Sequence, residues 1–139
     1  MLFGNIKVGF TGSRLGLTPQ QKTQIALEVR KINPHLVIHG DCIGADYDFD
    51  CIAKDLEIRR KIKPCNLKDQ RAFCEAEFIE EPKAPLERNR DIVDECDILL
   101  AAPGSKNEIH RSGTWSTIRY ATKTKKNLIV FYTDGTRNT

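Results

Sequence analysis

The sequence predicts an α/β domain built on a doubly wound, mostly parallel sheet of about five strands, with helices on both faces. Three observations carry this. Short apolar runs alternate along the chain with helix-length segments. The apolar runs are continuous rather than alternating, which suits strands buried on both faces. Turn-forming residues follow each run, and this strand–turn–helix rhythm builds parallel sheets.

Residues 6–11 read as the first strand, ending in Gly12-Ser13-Arg14. Thr18 is placed to cap the next helix, with Pro19 at its first position and Gln21 completing a capping box. Ile25, Leu27, Val29 and Ile32 continue that helix until Asn33-Pro34 stops it. Residues 36–39 form the second strand, ended by Gly40-Asp41. A helix over 45–56 and a strand over 58–63 follow. Residues 64–84 hold Pro64, Pro82 and mixed polar residues, so they read as a loop with room for one short helix. Then come a helix over 85–96, a buried strand over 97–102, a polar loop over 105–111, a helix over 114–125 and a last strand over 127–132. There is no internal repeat, low-complexity segment or linker, so residues 1–139 are expected to form a single domain.

Composition narrows the classes of function. The chain has 139 residues, enough for a core without disulfides or a metal. It is 40% hydrophobic and 29% charged, which excludes a disordered chain. No run approaches the roughly 20 apolar residues that cross a bilayer. The opening Met1-Leu2-Phe3-Gly4-Asn5 lacks the layout of a secretory leader, so a cytoplasmic location is expected. The net charge of +3 is too small for a dedicated nucleic-acid surface. Arg59, Arg60, Lys61 and Lys63 form a basic strip, but no aromatic residues are interleaved with it. The five cysteines are odd in number and none form a CxxC pair, which points to reduced structural thiols. No metal-ligand spacing occurs, and no cofactor is called for.

The chemistry collects after the strands. Thr11-Gly12-Ser13-Arg14 follows the first, and Gly40-Asp41-Cys42-Ile43-Gly44-Ala45-Asp46 the second. Pro103-Gly104 follows the fourth, whose loop enters a helix through Ser112-Gly113-Thr114. In doubly wound sheets ligands bind beyond these strand ends. Glycines admit a ligand close to the backbone, and helix N-termini attract anions. The expected guest is therefore a phosphate-bearing small molecule. Neither GxxxxGK(S/T) nor GxGxxG occurs, which argues against a P-loop or a standard dinucleotide fingerprint.

Arg14, Arg88, Arg90 and Arg111 are candidate phosphate ligands, because a guanidinium can grip two oxygens. Arg88 and Asn89 lie early in the helix before the fourth strand. Asp41 and Asp46 either grip sugar hydroxyls, act as a general base or cap the second helix. Glu108 and His110 are either acid–base groups or exposed loop residues. Trp115 either stacks on a base or packs its helix onto the sheet.

Taken together, Gly9-Phe10-Thr11-Gly12-Ser13-Arg14, His39-Gly40-Asp41-Cys42-Ile43-Gly44-Ala45-Asp46, Arg88-Asn89, Ala102-Pro103 and Arg111-Ser112-Gly113-Thr114-Trp115 resemble the SLOG superfamily of Rossmann-like nucleotide-binding domains. That superfamily includes the LOG phosphoribohydrolases and the DprA/Smf domain. The resemblance implies a nucleotide or nucleotide-derived ligand over the strand ends. In LOG enzymes a Pro-Gly-Gly-x-Gly-Thr-x-x-Glu segment cradles phosphate, and an Arg works with that Glu to cleave an N-glycosidic bond. Arg88 matches that Arg, and Ser112-Gly113-Thr114 match the Gly-Thr part. Here, though, residues 105–111 separate Pro103-Gly104 from Ser112, and Thr117 stands at the Glu position. Phosphate binding carries over better than the catalytic carboxylate, for which Asp46 and Glu108 are the substitutes. The implied binding set is Thr11, Gly12, Ser13, Arg14, Gly40, Asp41, Gly44, Asn89, Pro103, Ser112, Gly113 and Thr114. Three functions follow: nucleotide binding or sensing, N-glycosidic hydrolysis, and a DNA-processing accessory role that the near-neutral charge disfavours. The resemblance also implies a homo-oligomer.

Overall fold

The computed structural model describes residues 5–138. The opening segment read above for a leader falls largely in residues 1–4, outside the described residues. The elements in chain order are β1 (Lys7–Gly12), α1 (Pro19–Ile32), β2 (Leu36–His39), α2 (Ala45–Asp55), β3 (Arg59–Ile62), a 3-10 turn (Lys68–Gln70), β4 (Phe78–Ile79), α3 (Pro85–Glu95), β5 (Ile98–Ala102), α4 (Gly113–Lys123), β6 (Asn127–Phe131) and β7 (Arg137–Asn138).

The sheet runs in the order β4-β3-β2-β1-β5-β6-β7. Every pairing is parallel except β6 with β7. The expected α/β sheet is therefore present, with seven strands instead of about five. The two additions are two-residue edge strands. β4 pairs with β3 inside the stretch read as a loop, and β7 pairs back onto β6. Both are exposed and too short to show a period-two pattern. The expected short helix in that stretch is the 3-10 turn. The other boundaries fall within one or two residues of the expected ones.

Strand geometry explains the double core. Successive side chains point to opposite faces. Val8, Phe10, Val37, Leu100, Ile129 and Phe131 face α1 and α2, where they meet Ile25, Val29, Phe49 and Ala53. Ile38, Leu99 and Leu36 face α3 and α4, against Ile92, Val93 and Ala121. Phe10 stacks on Phe49 at 4.3 Å between ring centres. α1 starts with the expected reciprocal box between Thr18 and Gln21, and Asn33 ends it in a left-handed conformation.

Three of the four cations of the basic strip on and after β3 are neutralised within the fold, and Arg59 stays exposed. Lys61 and Lys63 both reach Glu95 of α3 at 2.7 Å, and Arg60 reaches Asp50 of α2 at 2.7 Å. The two lysines hold the Glu95 carboxyl down at about 2 against the opposing cost of its burial. No helix among the described residues is long and apolar enough to cross a membrane.

Candidate functional site

Chain order places β1 between β2 and β5, so consecutive connections leave β1 and β5 in opposite directions. That divergence opens a crevice at the carboxyl ends of the strands. A cavity of about 340 Å³ occupies it.

The β1–α1 loop forms its floor, with Thr11, Gly12, Ser13 and Arg14. Ser13 is pinned from both sides: its N–H donates to Ala102 O at 3.1 Å, and its carbonyl accepts from Ala45 N at 2.9 Å. Gly12 is required by close approach, since a Cβ there would lie 2.4 Å from that of Ala45. Arg14 Nη2 donates to Gln70 Oε1 at 2.9 Å, across the cavity mouth.

The opposite wall is the start of α4. Ser112 caps it, accepting from Trp115 N at 3.3 Å. The N–H groups of Gly113 and Thr114 have no acceptor among the described residues. Two free first-turn amides and the positive end of the helix dipole thus face the cavity lined by these residues. α2 leaves only the Asp46 N–H without an acceptor in its first turn among the described residues. Its first amide serves Ser13, and those of Tyr47 and Asp48 serve Cys42 O and Gly44 O.

Arg88 and Asn89 enter from α3. Arg88 is buried, and its guanidinium is largely spent on neutral groups. Nη1 donates to Gly40 O and to Lys63 O at 3.2 Å, and Nε donates to Asn89 Oδ1 at 2.7 Å. Nη2 has only the Cys42 sulfur, at 3.5 Å. Among the described residues no carboxylate oxygen lies within the 4.0 Å of an ion pair. A buried guanidinium without a counter-anion is costly unless a ligand supplies the charge. Arg111, exposed and without an ion pair among the described residues, adds a further cation at the rim.

Asp46 is the acidic group of this cavity. Its Oδ2 accepts from Cys42 N at 3.2 Å, while its buried Oδ1 has no partner. Burial raises its pKa above the ordinary aspartate value, against the opposing charge of Arg88. Burial also pushes the neighbouring Cys42 thiol up to about 11.

The structure therefore gathers eleven of the sequence-derived site residues around one cavity: Thr11, Gly12, Ser13, Arg14, Asp46, Arg88, Asn89, Arg111, Ser112, Gly113 and Thr114, while Arg90 does not line it. Five others stand elsewhere. Asp41 is fully buried in a left-handed turn, where its carboxylate accepts from Arg71 Nε at 2.9 Å and Cys74 N at 2.8 Å. Gly40 lies beneath Arg88, and Gly44 makes the tight turn into α2 at φ +102°. Pro103 presents its carbonyl to Gln21 Nε2 at 3.3 Å. Glu108 is half exposed and held by Arg119 at 2.5 Å, outside the cavity. His110 is exposed as well. Trp115 packs against Ala101, Ile118 and Val130, so of its two readings the packing one holds. Sequence reasoning did not place Cys42, Gln70 and Pro85 at this site. Gln70 comes from the 64–84 stretch, which carries no periodic signal.

His39, Asp50 and Cys74 bring potential metal-ligating atoms within 4.8 Å of one another. The hydrogen bonds argue against a metal there. His39 Nδ1 accepts from Asp41 N, which keeps the ring proton on Nε2, facing Asp50 Oδ1 at 2.8 Å. Asp50 Oδ2 is taken by Arg60. A metal on Nε2 would drive the ring proton to Nδ1, against the Asp41 N–H.

A doubly wound α/β domain with a cationic crevice at its switch point is the class defined by this fold and site. The same fold is found in the molybdenum cofactor binding protein from the phototrophic bacterium Rippkaea orientalis, with a TM-score of 0.72 and 16% identity. The alignment covers 94% of this chain and 78% of that one. At that identity the likeness is one of fold. No family model matches the chain, and neither does any curated protein.

Proposed function

We propose that this protein binds a nucleotide or nucleotide-derived small molecule, with its phosphate at the start of α4. The observation that carries the reading is the meeting of the free amides of Gly113 and Thr114 with the unpaired charges of Arg88 and Arg111 in one cavity. An anion there completes both at once. Asp46 then accepts from a sugar hydroxyl or a base N–H. Membership of the SLOG superfamily, and pairing of two copies, belong to this proposal and rest on the motif resemblance. The cofactor-binding protein of the same fold supports a small-molecule guest in general terms.

Calorimetry tests the site. Wild type should bind at least one nucleoside monophosphate. Arg111→Ala and Thr114→Val should each weaken it, the arginine change by about tenfold or more, as expected for a charge-assisted bond to phosphate. Unchanged affinity in both variants would place the ligand elsewhere.

A second reading is hydrolysis of the N-glycosidic bond, and Asp46 is the observation that favours it. Burial raises the pKa of Asp46, so its carboxyl can give a proton to the departing base as the C–N bond breaks and water bonds to the sugar carbon, and the proton released by that water returns to Asp46. Free base released by wild type but not by Asp46→Asn, followed by chromatography with mass detection, supports this reading. A panel returned intact leaves binding alone.

A further inference from the structure

A second recess lies beside the first. It has a volume of about 200 Å³ and runs along the groove between α3 and α4. Asn89 lines both recesses, and Pro85 of the first is followed in the chain by Leu86 of the second. The two recesses therefore adjoin at Asn89 and the first turn of α3. The far end of the groove is cationic and aromatic. Arg90 lies over the Tyr120 ring at 5.4 Å, and Lys123 stands one turn further on. Neither Arg90 nor Lys123 has an ion-pair partner among the described residues. The acids nearest the groove are engaged: Asp94 accepts from Tyr120 Oη at 2.7 Å, Asp91 holds Lys83, and Glu108 holds Arg119. Tyr120 is therefore held by Asp94 with Arg90 over its ring, and no carboxylate among the described residues pairs with Arg90 or Lys123.

Resting on the nucleotide reading above, we propose that the α3–α4 groove is a second subsite, so that the protein takes a phosphate-linked nucleotide longer than a monophosphate. The spacing fits. Thr114 and Tyr120 are six residues apart on α4, about 9 Å along the axis. A phosphate at the helix start leaves room for a second phosphate and its attached sugar to cross Asn89. The second phosphate meets Arg90 and Lys123, and the sugar or ring lies on Tyr120. The class is a nucleoside diphosphate carrying a further group on its outer phosphate, or a dinucleotide joined through a diphosphate.

The test compares AMP, GMP, CMP and UMP with ADP-ribose, GDP-mannose, UDP-glucose and NAD, by calorimetry on the full chain. The expected result is at least one extended compound binding about tenfold or more tighter than its own monophosphate. The double variant Arg90→Ala/Lys123→Ala should abolish that gain and leave the monophosphate affinity as in wild type. Both residues are exposed, so folding should be preserved, and circular dichroism checks it. The inference is overturned if the monophosphate binds as well as its extended forms, or if the double variant keeps the full gain. Failure of every compound, the monophosphates included, would overturn the underlying nucleotide reading instead.

Discussion

Asp46 and Arg88 line one cavity with opposite charges, and neither has an ion-pair partner within 4.0 Å among the described residues. The hydrogen bonds of Arg88 and the Cys42 N–H on Asp46 offset only part of the cost of burying them. For Asp46 the consequence is a pH dependence of definite sign. Burial raises its folded-state pKa above the unfolded value. The folded state therefore holds the proton more tightly than the unfolded chain. Stability from this group is present at low pH and is lost as pH rises from the ordinary aspartate range through the raised value. Asp46→Asn keeps an acceptor for Cys42 N and removes the charge. At pH 7 it should stabilise the fold by about 1 kcal/mol, and the gain over wild type should shrink as pH falls toward 4. Thermal melts across pH check this. A variant less stable than wild type at pH 7 would mean that Asp46 is ionised at little cost in the folded state. The same substitution should weaken nucleotide binding, a trade of function against stability common at binding sites.

At the scale of elements, the middle of the stretch between β3 and α3 is fastened by one buried carboxylate. Residues 64–84 carry only a 3-10 turn and a two-residue strand, and they supply Gln70 to the cavity mouth. Asp41 fastens them through Arg71 Nε and Cys74 N, while Ala72 N donates to Asp41 O at 2.7 Å. Asp41→Ala strands the Arg71 guanidinium and an amide, and it forces alanine into a left-handed backbone at φ +59°. A loss of about 3 kcal/mol is expected. Hydrogen exchange should rise over residues 64–84 and over the β2–α2 turn while β1 and β5 stay protected. Exchange unchanged in that stretch would show that it is held by other contacts. Asp41 also shows where sequence reasoning reached its limit. An aspartate after a strand and before a helix reads equally as cap, ligand or bracket. Only the partners, some 30 residues away in the chain, decide it. Glu108 is the parallel case at the other end of the site, since Arg119 a few turns along α4 draws it off.

Across the whole molecule, the parallel core was legible because its signal is strong. β1, β2, β5 and β6 are buried on both faces and read as continuous apolar runs. The start of α1 was legible because capping chemistry marks it at Thr18, whereas α4 starts one residue before the expected Thr114, with Ser112 as its cap. β4 and β7 were not legible, because two exposed residues carry no pattern and their pairing is decided by the neighbouring strand. The site was legible in its glycines, hydroxyls and arginines because the topology sends the ends of β1 and β5 to one crevice. The α3–α4 groove was legible only in Arg90, a candidate phosphate ligand, because Lys123 reads as a solvated helix end and nothing in the sequence brings the two helices together. The proposed site seats phosphate on the first turn of α4 beside the β1–α1 loop. The most direct test is a titration of nitrogen-15-labelled protein with nucleoside monophosphates, followed by amide chemical shifts. The largest changes should fall on Gly113, Thr114, Gly12 and Ser13. Saturating shifts confined to other parts of the molecule, or none with any nucleotide, would contradict it.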